Sequence, residues 1–76
     1  MSEQAEGSLV FDPARGELGY VMGNEGPYVQ LRPVAGGREW DADPALVRPA
    51  TPDERLEAVR IRTRAMNFFS NNGIFS

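Results

Sequence analysis

Three carboxylates, Glu39, Asp41 and Asp43, lie two residues apart, a spacing that puts alternate side chains on one face of a strand. Acids held together in this way are the raw material of general acid–base catalysis or of a cation site. The rest of the chain withholds what either would need. Histidine, cysteine and lysine are absent, which removes the usual general base, thiolate nucleophile and Schiff-base amine. The acids lack the glycine and terminal glutamate of a calcium loop, and zinc has no histidine or cysteine to bind. Ser8, Ser70 and Ser76 fall toward the chain ends without an activating base. Gly16, Gly19 and Gly23 do not match a phosphate loop, because no lysine and no strand-to-helix switch follows. The expectation is a solvated outer strand face, a chain that is not an enzyme, and no cofactor, metal or small-molecule ligand.

Binding chemistry remains. Tyr28 and Arg32 point outward from one strand, with Tyr20 on another and Arg38 opening the next. Such an arginine–aromatic set can stack bases or grip a partner helix. It can equally be cross-strand pairing that only steadies a sheet, each pair contributing roughly 0.2–1 kcal/mol. A second set, Arg60, Ile61, Arg64, Phe68 and Phe69, belongs to the C-terminal part of the chain.

The elements that must position these residues follow from period and punctuation. Residues 1–7 are polar and expected to be disordered. Leu9-Val10-Phe11 is a short strand stopped by Asp12-Pro13, and "DPARGELG" reads as a loop. "YVMG" and "PYVQLRPV" are the next strands, separated by a turn at Gly23-Asn24-Glu25-Gly26. In the latter, Val29 and Leu31 face in, while Tyr28, Gln30 and Arg32 face out. Pro33 ends that strand or holds it at an edge. Ala35-Gly36-Gly37 makes a turn into "REWDA", whose Trp40 and Ala42 face in, with Trp40 as the large core filler. A helical turn at Asp43–Ala45 and a brief strand at Leu46–Arg48 complete a β unit over residues 8–50.

The period then changes. Thr51-Pro52-Asp53-Glu54 is a capping box with proline at the first helical position, opening a helix over residues 51–70. Leu56, Val59, Thr63 and Met66 form its main apolar stripe, which Phe69 extends. Ile61, Ala65 and Phe68 form a second strip. Residues 71–76 are an uncharged tail. Two apolar strips exceed what one small barrel face must bury, so docking to another protein or self-association would bury the second; equally, Phe68, Phe69, Ile74 and Phe75 could fold back over an open barrel end.

The net charge of −3 is uneven: residues 1–54 carry ten acids against four arginines, whereas residues 55–76 carry one acid against four. An acidic N-terminal portion disfavours nucleic acid as the main partner, although the basic helix keeps a local anionic contact open. The start, "MSEQAEGS", has no signal-peptide pattern, no run is apolar enough to span a membrane, and the lack of cysteine fits a reducing cytoplasm.

Five short strands with glycine turns suggest a mainly β fold, a small five-stranded SH3-like barrel followed by one C-terminal α-helix. The order of parts resembles KOW-type barrels. From Asp12 to Thr51 the chain is also similar to a group of small uncharacterised actinobacterial proteins sharing "DPARGxxGxVMGxxGPYVQLRPxxGGREWDADPxxxRPAT". That pattern covers about half the chain and imports no activity; "MNFFSNNGIFS" departs from the charged ending expected of the group. The expected function is a non-catalytic protein-interaction module, an accessory or regulatory subunit that uses its helix and apolar tail to bind another protein or itself. The alternative is a nucleic-acid-binding KOW-like barrel using Tyr28, Arg32 and Arg38 with help from Arg60, Arg62 and Arg64.

Overall fold

The computed structural model describes residues 5–69. Strands β1 (Leu9–Asp12), β2 (Glu17–Glu25), β3 (Tyr28–Pro33), β4 (Trp40–Ala42) and β5 (Arg48–Pro49) precede one helix, α1 (Pro52–Phe69). The strands form one antiparallel sheet in the order β4-β3-β2-β1-β5. Among the described residues no ladder joins β4 to β5, so the sheet is open at both edges.

Alternation sets the inner face. Val10, Val21, Val29, Leu31, Ala42 and Val47 form the buried cluster, with Trp40 packed against it. Val21 stands opposite Leu31, Val29 opposite Ala42 and Leu31 opposite Trp40, so the pairing register brings core residues together across the strands. The ladder slips between Val21 and Gly23. Such a bulge bends its strand and raises the local twist, letting the long β2 follow the core.

Strand β2 is much longer than "YVMG". The expected loop shrinks to residues 13–16, because Glu17 and Leu18 pair with Asp12 and Phe11. The expected four-residue turn shrinks likewise, to Gly26-Pro27 between β2 and β3, with Gly26 at φ +59°. Gly19 is not a turn glycine at all. A Cβ there would sit 3.0 Å from both the Arg32 carbonyl oxygen and the edge of the Trp40 ring. Its bare backbone is what allows the indole to lie on β2. Strand β5 is shifted to Arg48–Pro49, with Leu46 exposed and Val47 in the core. Asp43 carries the preceding turn: its carbonyl accepts from the amides of Leu46 and Val47, and its side chain from that of Ala45. Residues 1–4 lie outside the described residues; the Gly7 amide donates to the Val21 carbonyl at 2.7 Å, prolonging the sheet beyond β1.

Asp12 is the buried charged residue among those described, 3% exposed. It lies on the inner face beside Val10. The Trp40 Nε1–H donates to Oδ2 at 2.8 Å, and the Ala14 amide donates to Oδ1 at 3.0 Å. Its main-chain carbonyl accepts from the amides of Arg15 and Gly16, and Gly16 supplies the left-handed conformation that closes the turn. Arg15 stacks its guanidinium 4.4 Å from the centre of the indole and pairs with Glu17. Both oxygens of the buried carboxylate and the N–H of the half-buried indole are thereby satisfied.

The helix begins as its capping box dictates. Thr51 Oγ1 accepts from the Glu54 amide, and the Glu54 carboxylate accepts from the Thr51 amide. The strip turned to the sheet is Ala58, Ile61 and Ala65; Ala58 is 2% exposed. Ala58 adds almost no bulk between helix and sheet, and it lines a cleft there with Leu9, Tyr20 and Pro49.

Replacing Trp40 by phenylalanine keeps an aromatic filler but strips Oδ2 of the buried Asp12 carboxylate of its donor. We expect a loss of about 1–3 kcal/mol in urea-monitored stability. Gly19→Ala should be comparably damaging, with the sheet unable to accept both the Cβ and the indole.

Candidate partner-binding surface

Over β3 and β4 the outer face of the sheet is polar and largely self-paired. Gln30 donates to Asp41 at 2.6 Å across β3 and β4, Arg32 lies 3.7 Å from Glu39, and Tyr20 stands opposite Arg32. The three acids that suggested acid–base chemistry are therefore divided: Glu39 to Arg32, Asp41 to Gln30 and Asp43 to its own turn. Among the described residues no group of three acids, histidines or cysteines is placed to hold a metal ion.

Of the first sequence-derived set, Tyr28 is exposed at the end of β3 opposite Glu25, and Arg32 is exposed on the same face. Arg38 is exposed in the irregular segment before β4 rather than on that strand. The set shares one side of the sheet in part, and it shares that side with acids.

The helix holds the second set. Arg60 is exposed and 3.5 Å from Glu57, Arg64 is exposed, and Ile61 is half-buried on the sheet side beside Phe11 and Leu18. Phe68 and Phe69 close the helix, but their side chains and all of residues 70–76 lie outside the described residues. Arg62, outside that set, donates to the Tyr20 hydroxyl at 3.2 Å and lies over its ring, tying the middle of the helix to β2.

The apolar stripe of larger side chains faces away from the sheet. Leu56, Val59 and Met66 are 52%, 54% and 63% exposed. With exposed Thr63 they repeat at intervals of three and four residues, the spacing of a helix-docking seam. At its C-terminal end the stripe meets a groove of about 470 Å³ between the helix and the segment after β3, lined by Tyr20, Arg32, Val34, Arg62, Ala65 and Met66. Periodicity located this stripe in the sequence. The roles expected of the two strips are reversed: Ile61 and Ala65, expected to meet a partner, are half-buried toward the sheet with buried Ala58, and the main stripe is left exposed.

One polar knot fixes the angle at which the stripe is presented. Arg48 in β5 grips Glu54 in the first helical turn through two parallel bonds of 2.8 and 2.9 Å, and stacks on Phe11 of β1. These bonds, led by Arg48 and aided by the Thr51 amide, lower the Glu54 carboxyl to about 2 and raise the Arg48 guanidinium. Because the folded value lies below the ordinary one of 4.5, this contribution is complete above about pH 4.5 and fades as pH falls toward about 2. A side-chain carboxyl titration by NMR should find Glu54 ionised well below the ordinary glutamate range. Glu54→Gln should remove its share of the stability change in that window.

Among the described residues, no helix is long and apolar enough to cross a membrane. No family model, curated protein or solved structure matches this chain, so its function must be argued from its own residues.

Proposed function

We propose that the chain is a non-catalytic protein-interaction module, an accessory or regulatory subunit in which a small β-sheet carries a recognition helix. The observation that supports this reading is the outward stripe of Leu56, Val59 and Met66, each more than half exposed, on a helix whose other side already packs on the sheet. A helix serving only as a lid needs one apolar strip. A second strip of larger side chains, held at a set angle by the Arg48–Glu54 knot, has the form of a partner surface. Arg60 and Arg64 stand at its edge, whereas Ile61 acts from beneath by seating the helix. A cytoplasmic setting suits this role.

A second reading, nucleic-acid binding in the manner of KOW-type barrels, draws on exposed Tyr28, Arg32 and Arg38 and on the helical arginines. Glu39 beside Arg32, Glu25 opposite Tyr28 and Asp41 on the same sheet face weigh against a phosphate backbone there.

A photo-crosslinking residue at position 59 tests the first reading in cells that make the protein. We expect one discrete protein adduct, lost when Leu56→Gln and Met66→Gln are added. Glutamine keeps helix propensity, so those changes should leave the melting temperature nearly unaltered. A chain that is strictly monomeric and gives no adduct would defeat the reading. A gel shift with RNA or DNA that collapses as salt rises would favour the second one.

A further inference from the structure

We propose that the partner of the outward stripe is an acidic amphipathic helix from another protein. The inference rests on reading α1 as the recognition surface and adds the chemistry of what binds there. Arg55 and Arg62, seven residues apart, border one flank of the stripe, and Arg60 borders the other, with Arg64 beyond it. The helix acids are confined to its first turns, at Asp53, Glu54 and Glu57. Glu54 is committed to Arg48, and Glu57 lies beside Arg60. From Arg60 to Phe69 the helix carries three arginines and no acid. An apolar ridge lined by guanidinium groups complements a segment with apolar residues at helical spacing and glutamates or aspartates along their margins.

The dimensions agree. Leu56 to Met66 spans about 15 Å, roughly three turns of a partner helix. At the Met66 end, the groove beside Tyr20 can take one apolar side chain, with Arg32 and Arg62 at its wall for a neighbouring carboxylate.

Charge also argues against the other occupants. In a parallel pair of two copies of this helix, Arg55 of one copy would face Arg60 of the other. An antiparallel pair aligned on the whole stripe would place Arg60 against Arg60 and Arg62 against Arg62 near the symmetry axis. Like charges at such positions oppose pairing. A nucleic acid would press its phosphates toward the apolar ridge between the arginines, leaving Leu56, Val59 and Met66 without an apolar partner.

Two synthetic helical peptides, alike in leucines at heptad a and d positions, would carry glutamate or lysine at e and g. Fluorescence anisotropy should show the glutamate peptide binding the full-length protein about tenfold or more tightly than the lysine peptide, with the margin shrinking as salt rises. The double variant Arg55→Glu, Arg60→Glu should reverse the preference, and Leu56→Gln, Val59→Gln, Met66→Gln should abolish binding; circular-dichroism melts verify that both remain folded. Equal binding of the two peptides would overturn the acidic partner while leaving an apolar docking stripe in place. Binding of neither, glutamate-peptide binding that survives loss of the stripe, or competition by single-stranded RNA in place of the peptide would also overturn it. The crosslink from position 59 stands apart from all these outcomes, so failure here is distinguishable from failure of the interaction-module reading.

Discussion

The hydrogen bond from the Trp40 indole to the buried Asp12 carboxylate is the constraint around which the sheet is arranged. It joins residues 28 apart in sequence and spans from the end of β1 to edge strand β4. No backbone ladder makes that connection. Three other features exist in service of it: the Ala14 amide that occupies the second carboxylate oxygen, the Arg15 guanidinium over the indole, and the bare backbone of Gly19 beneath the ring. A domain of this size has little burial to spare. A buried charge that is fully hydrogen-bonded selects one register, because a slipped strand would leave it unpaired in an apolar interior.

On the outer side, a second connection works at the surface with different physics. Arg48 is solvent-exposed and Glu54 only partly buried, and surface ion pairs contribute little alone. Their value is geometric. A two-pronged contact between β5 and the first turn of α1, adjoining the capping box and the ring of Phe11, sets where the helix leaves the sheet. Ala58 is then buried on the sheet side and Arg62 reaches back to Tyr20. The helix is placed by small and polar residues, leaving its large apolar side chains unspent on the sheet.

Much of this was legible in the sequence, and what was not has a physical reason. The inward positions of Val29, Leu31, Trp40 and Ala42 followed from alternation, and the helix start followed from Thr51 and Glu54, because both signals are local. The length of β2 was hidden because glycines read as breakers, while Glu17 and Leu18 take their strand character from partners in β1. Asp12 looked like a turn residue. Only the folded sheet brings its inward carboxylate, beside Val10, within reach of an indole 28 residues away, so no local signal carried the pair. On the helix, periodicity weights large side chains, so it made Leu56, Val59 and Met66 the main stripe and Ile61 and Ala65 the surplus; it passed over Ala58, whose lack of bulk lets the smaller strip be the one turned to the sheet. Phe68 and Phe69, named from the sequence as partner residues, fall where the side chains are not described.

The position of Trp40 also separates two events optically. It is the sole tryptophan, and its environment is built from Asp12, Arg15, Gly19 and the sheet core, with no residue of the helix among them. Its emission therefore reports whether β1 and β4 have come together and is insensitive to whether α1 lies on the outer face. Helical circular dichroism reports the other element. Recorded together through a melt, the two signals would separate in temperature if α1 loosens while the sheet that carries it stays assembled.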